Sequence, residues 1–183
     1  TNSALYSALV ASLQALGDPA LPLVVAPRER ITLVISAGLR VSPGQQWEIV
    51  SSAVRAALLE RFGFERQSLA QPVPTSAVFA AIQNVPGVDY VDIDALGGIP
   101  ERTADGAGGR RLMTLHEISA AISAVVSPAN SGTITNLGWV PSRGPGRAVI
   151  ARRAGLESGM IRPAELAIFT PAVPDTIVLN QIR

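Results

Sequence analysis

Three clusters of residues have types and spacings that bear on chemistry. Asp89, Asp92 and Asp94 bring several carboxylates together, as a hard cation requires. The spacing has neither the loop glycine nor the distant glutamate of a calcium-binding hand. Alternation with Val91 and Ile93 instead puts Asp92 and Asp94 on the solvent side of a strand, where charge also discourages edge pairing. His116 and Glu117 have the types of an acid-base pair, but adjacent helical positions diverge and no H-E-x-x-H spacing follows. Gly106-Ala107-Gly108-Gly109-Arg110-Arg111 has the glycine content of a phosphate cradle. No strand leads into it, no third glycine falls at the required offset and no lysine follows, so a flexible loop is expected. No serine occupies a G-x-S-x-G elbow. The residues therefore nominate no catalytic group, no metal ligand and no cofactor.

The side chains best suited to contact are arginines and one tryptophan. Arg110-Arg111 and Arg152-Arg153 lack the interleaved aromatics of a nucleic-acid groove and are read as exposed or interface charges. Trp47 falls on a helical apolar face and is expected in the core. Trp139, with Leu137 in Leu137-Gly138-Trp139-Val140-Pro141, either plugs its own domain or anchors in a partner, as interface tryptophans do. Trp139, Leu137, Arg110, Arg111, Arg152 and Arg153 are the candidate interface residues.

Composition narrows the classes further. The 15 basic residues are all arginine and the net charge is +1, spread along the chain. That excludes Schiff-base lysine chemistry and makes nucleic acid an unexpected partner, while arginine suits bidentate carboxylate contacts between proteins. With no cysteine there is no disulfide framework and no thiolate chemistry. No apolar stretch approaches the roughly 20 residues that span a bilayer, so a soluble chain without membrane insertion is expected. Thr1-Asn2-Ser3 has neither an initiator methionine nor a signal pattern, an opening expected of a module from a longer protein.

The elements that would position these residues follow from periodicity. Ser3 as N-cap, Leu5, Leu9, Leu13 and Leu16 at helical spacing and Gly17 as stop predict a first helix. Ile31 to Val41 reads as a strand. Ser42-Pro43 pairs an N-cap with proline at the first helical position, and Trp47, Val50, Val54 and Leu58 mark one face of a helix ending at Phe62-Gly63. Thr75 caps a short helix carrying Val78, Phe79 and Ile82, and a strand follows from Val88 to Leu96. From Gly97 to Met160 glycines and prolines interrupt the pattern. Leu115 to Val126 is a helix candidate there, and Thr133-Ile134-Thr135 with Ala148-Val149-Ile150 a candidate hairpin. Two terminal strands lie near 164–169 and 176–180.

Three stretches, in this order, resemble the baseplate J-like family of contractile phage tails and extracellular injection systems, in its C-terminal part. They are Ala15-Leu16-Gly17-Asp18-Pro19 leading to the strand at Ile31; Glu48-Ile49-Val50 through Ala53 to Phe64 and on to Gln71-Pro72-Val73; and Val78 to Val88 running into Val91 to Leu96. Pro163-Ala164-Glu165-Leu166 is similar to the family's closing strand. The resemblance covers residues 15–96 well and 160–180 weakly, and segment 97–160 departs from it. It implies a wedge subunit that pairs with a second copy of itself and links neighbouring wedges into the ring around the tail hub, with hub or sheath-initiating subunits as further neighbours. It also implies residence in the assembled baseplate, built in the bacterial cytoplasm, with no catalytic activity.

The expected fold is α+β: a mixed sheet covered on one face by helices near 44–62 and 75–84, in a ferredoxin-like split βαβ arrangement with a Gly/Pro-rich insertion. The expected organisation is an N-terminal helix and linker at 1–27, a core at 28–96, a docking arm at 97–160 and closing strands at 161–183. A small hydrolase needs a pocket with convergent titratable groups, and a peptide- or glycan-binding module needs a surface aromatic cluster; at 4% aromatic content the chain is a poor candidate for the latter.

Overall fold

The run from Ile31 to Val41 becomes the axis of the fold. In the computed structural model, which describes residues 3–18, 23–106, 109–126, 147–157 and 160–182, the chain order begins with α1 (Ala4–Leu16), β1 (Glu29–Val41), α2 (Trp47–Phe62), β2 (Val73–Pro74), α3 (Thr75–Gln83) and β3 (Val88–Pro100). It continues with β4 (Arg102–Ala104), β5 (Arg110–Leu112), α4 (Leu115–Val126), β6 (Ala148–Val149), β7 (Gly155–Glu157), β8 (Met160–Arg162), β9 (Glu165–Ile168) and β10 (Ile177–Gln181).

The sheet is mixed. On one edge β1 pairs antiparallel with β3. On the other edge two strands share it in succession, both parallel to β1: β9 lies against Glu29 to Thr32 and β10 against Ile35 to Leu39. A strand paired on both edges and covered on both faces is mostly apolar, and Ile31 through Leu39 is buried without a break, Thr32 and Ser36 being its polar side chains.

The two faces carry separate cores. On the first, Leu33, Ile35 and Leu39 meet Val50, Val54, Leu58 and Phe62 of α2 and Val78 and Ile82 of α3. Those residues recur every three or four positions, so each helix turns one apolar stripe to the sheet. Phe62 packs edge-on against Phe169 just beyond β9, with ring centroids 6.2 Å apart. On the second face, Val34 and Ile99 meet Met113 and α4 through Ala121, Ile122 and Val125. The helix expected at 115–126 therefore forms, and it gives the sheet cover on the face opposite α2 and α3.

Some boundaries differ from expectation. Ser42-Pro43 does not open α2: Gln45 N donates to Ser42 O at 3.1 Å and Gly44 adopts φ +84°, which closes a turn with proline and glycine at its two central positions. The helix starts at Trp47 after Gln46. The strand expected to stop at Leu96 continues through Gly97-Gly98 to Pro100. At Gly98 an added Cβ would stand 2.5 Å from Ile31 Cγ2 and 2.7 Å from Val149 Cγ1, so the missing side chain is what lets β1 and β6 close over the strand. Ala148–Val149 pairs antiparallel with Val73–Pro74; its expected hairpin partner at 133–135 lies outside the described residues.

Candidate interaction surfaces

Two of the four candidate arginines, Arg110 and Arg111, are held from within the chain. Strands β4 and β5 pair antiparallel, Arg102, Thr103 and Ala104 facing Leu112, Arg111 and Arg110. They are tied together at Asp105, whose N–H donates to Gly109 O at 3.1 Å and whose Oδ1 accepts from Gly109 N at 2.8 Å. A carboxylate thus sits on the amide that a phosphate cradle would offer to its anion. Arg110 reaches back across the hairpin to the buried carboxylate of Glu29 at the start of β1.

Arg111 turns toward α4 and grips Glu117 with both terminal nitrogens, at 2.8 and 2.6 Å. Glu117 also accepts from the backbone N–H of Thr114 at 2.8 Å, while Thr114 Oγ1 accepts from the N–H of Glu117 at 3.3 Å. This reciprocal pair is a capping box at the start of α4. The Arg111 hydrogen bond, followed by those from Thr114, holds the Glu117 carboxyl down at about 2, and Glu117 in turn raises the Arg111 guanidinium. His116 is exposed, and the Glu117 carboxylate is committed to Arg111 and Thr114.

A second ion-pair site lies beside the first. Glu165, buried on β9, accepts from Arg162 Nη2 at 2.9 Å and from the backbone N–H of Arg152 at 2.8 Å. Glu29 and Glu165 are direct partners in the parallel ladder. Two buried carboxylates on adjacent strands therefore each receive an arginine from a different excursion of the chain, Arg110 from β5 and Arg162 from β8. Burying a carboxylate without such a partner costs several kcal/mol, so each pair anchors its hairpin at the start of the sheet. Sequence reading missed both glutamates. The signal available was an acidic residue bracketed by arginines in Arg28-Glu29-Arg30 and one opening an apolar run at Glu165; that they meet requires the topology.

The three aspartates separate. β3 carries two irregularities in its ladder with β1, between Ser36 and Ala37 and between Arg40 and Val41, where Asp94 and Asp89 are the extra residues. Asp94 accepts from Ser36 Oγ at 3.3 Å and Asp89 from Arg40 Nε at 2.6 Å, while Asp92 is exposed. Arg40 also lies 5.4 Å from the Tyr90 ring centroid. Arg152 and Arg153 are exposed, and Trp139 and Leu137 lie outside the described residues.

Two apolar surfaces were not foreseen. Helix α1 is capped as expected, Ser3 accepting from Tyr6 N at 3.2 Å, but none of its residues is buried: Leu5 is 80% exposed and Leu16 88%. Its attachment to the body includes the hydrogen bond from Tyr6 Oη to Val25 O. On the β7–β8 hairpin, Leu156 and Ile161 face each other across the strands and both are exposed. A shallow open depression of about 160 Å³ lies between Arg55 and residues 170–177. Comparison with family models and with the curated proteins finds no match for this chain.

Proposed function

We propose that this chain is a structural wedge subunit of a contractile tail or injection-system baseplate, which works by pairing with a second copy of itself and joining neighbouring wedges into a ring. The observation that carries this reading is the state of α1. A helix of 13 residues, without a charge, is marginal on its own in water, and none of its four leucines is buried, Leu5 and Leu16 being 80% and 88% exposed. Such an element is finished by a neighbour. The ordered sequence resemblance over residues 15–96 supplies the kind of neighbour, and the split, ferredoxin-like βαβ arrangement belongs to the same reading.

The parts of segment 97–160 that the sheet and its second core do not take up serve in this reading as the docking arm, with Arg152, Arg153, Leu137 and Trp139 among its contact residues. The chemistry required is none: the arginines pair, the leucines bury, and no bond is made or broken. The test is to isolate contractile particles from the source organism, cross-link them and identify the peptides joined to this chain. Links to tail and baseplate proteins, in a ring stoichiometry, are expected. Particles assembled fully without the chain, or a turnover of ester, phosphate or glycoside substrates abolished by His116→Ala, would overturn the proposal.

A further inference from the structure

The sheet has three outer edges, and they are treated differently. The outer side of β9 is taken up by loops: Ala70 N donates to Glu165 O at 2.8 Å, Glu165 N to Arg152 O at 2.9 Å and Phe169 N to Phe62 O at 3.0 Å. The outer side of β3 is long but guarded. Its two bulges interrupt the regular spacing of donors and acceptors, and Asp89, Asp92 and Asp94 set negative charge along it, both recognised means of blunting an edge.

Among the described residues the outer side of β10 has neither a loop laid along it nor a bulge, and only the Arg55 guanidinium meets it, at Ile177. Its ladder with β1 is fixed by Ile35 N donating to Thr176 O at one end and Ile182 N to Leu39 O at the other, so Val178 and Asn180 turn their backbone groups inward. Ile177, Leu179 and Gln181 therefore turn theirs outward. The carbonyl of Ile177 accepts from Arg55, a bond that leaves it one lone pair. Among the described residues no other partner meets these outward groups. The strand Ile177-Val178-Leu179-Asn180-Gln181 contains no charge, no proline, no glycine and no bulge.

We infer that β10 is a self-pairing edge, on which β10 of a second copy docks antiparallel about a two-fold axis at Leu179, joining two sheets into one. Backbone donors and acceptors at strand spacing are satisfied by another strand, which settles the class of occupant. Neutrality selects the copy. A two-fold pair places like residues against like, which is repulsive for a charged strand and costless for an uncharged one; Arg55, bound at the Ile177 carbonyl, would face Gln181 of the other copy and not its own image, and β3 is excluded by the same reasoning. In this register Leu179 faces its own image, Ile177 faces Gln181 of the other copy, and every outward N–H and C=O finds a partner. The inference rests on the self-association in the proposed function and names the element that performs it.

The test uses the full chain and sedimentation equilibrium over a concentration series. The wild type is expected to form a concentration-dependent dimer. Gln181→Pro removes an outward N–H while leaving the inward ladder and an exposed side-chain position undisturbed, so it should raise the dissociation constant at least about tenfold, two hydrogen bonds being lost per dimer. Gln181→Ala, which keeps that N–H, should leave it unchanged. Because the chain has no cysteine, Leu179→Cys supplies a single thiol. Facing its image at a Cα separation of about 5.5 Å, it should form a covalent dimer with oxidised glutathione, whereas Asn180→Cys, offset by two residues from its image, should not. A wild-type dimer that survives Gln181→Pro and does not cross-link through Leu179→Cys would overturn the β10 pairing and leave self-association standing. A wild type that stays monomeric throughout would overturn both.

Discussion

Helices α1 and α2 both place leucines and valines at intervals of three or four, yet α2 buries Val50, Val54, Leu58 and Phe62 whereas α1 buries nothing. The difference is legible on their other faces. The sequence of α2 includes Glu48, Arg55, Glu60 and Arg61, charges that a helix presents to water once its apolar stripe is covered. That of α1 has no charged residue on any face. Apolar periodicity identifies both helices; within this pair the charged counter-face goes with the one its own chain covers, while α3, equally uncharged, is held through Val78 and Ile82.

Substitutions that drive charge into each helix probe this contrast most directly. Val54→Asp places a carboxylate among Leu33, Leu58 and Val78 with no partner, and should cost at least about 4 kcal/mol in chemical denaturation, or abolish folding. An unchanged midpoint would mean that α2 is no more integral than α1.

Gly98→Ala asks whether the sheet on which α2 rests is as closely fitted as the helix. The added methyl meets branched side chains of Ile31 and Val149 that cannot swing away, and a loss of about 1–3 kcal/mol is expected by the same measurement. A neutral result would show that β6 is free to move off β3.

Helix α4 is an intermediate case, with one buried face and a local lock at its start. Thr114→Ala removes the hydroxyl half of the capping box and should cost about 1 kcal/mol. The Glu117 half is set by pH. Its folded carboxyl lies at about 2, below the ordinary value of 4.5, so its contribution is complete above that ordinary value and fades as pH falls toward 2. The melting-temperature gap between wild type and Glu117→Gln should accordingly be widest near neutrality and close on acidification; a gap independent of pH would remove the carboxylate from the account.

The smallest effect belongs to α1. Leu5→Asp, at a position 80% exposed, should change the stability of the isolated chain by no more than about 0.5 kcal/mol, while weakening its incorporation into a particle. A loss matching that of Val54→Asp would give α1 a core of its own and erase the contrast.

Much of the framework was readable in the sequence, because the α2 stripe has a helical period while Ile31–Val41 and the two terminal strands are short apolar runs set off by prolines. The errors arose where one motif serves two geometries. Ser42-Pro43 fits the start of a helix and equally the start of a turn, and the decision fell to Gly44. Gly97-Gly98 reads as a break, but a strand crossed closely by neighbours needs such residues. The interaction surface was less legible. Arg110 and Arg111 were marked as contact residues, and their charges are consumed by Glu29 and Glu117. The outer edge of β10 cannot be read from Ile177–Gln181 alone, since it follows from β9 and β10 sharing one edge of β1, β9 at Glu29–Thr32 and β10 at Ile35–Leu39.

That succession of β9 and β10 along one edge of β1 bears on how the chain acquires its structure. β1 can pair with β3 after a separation of some fifty residues, but its other edge must wait for residues 165–181, more than a hundred positions away. Long loops of this kind delay pairing and slow folding. During synthesis the most apolar strand in the molecule stands with one side open while the intervening segment emerges from the ribosome. In that interval it is exposed to strands of other nascent chains, so the last residues to pair also end the period of greatest aggregation risk.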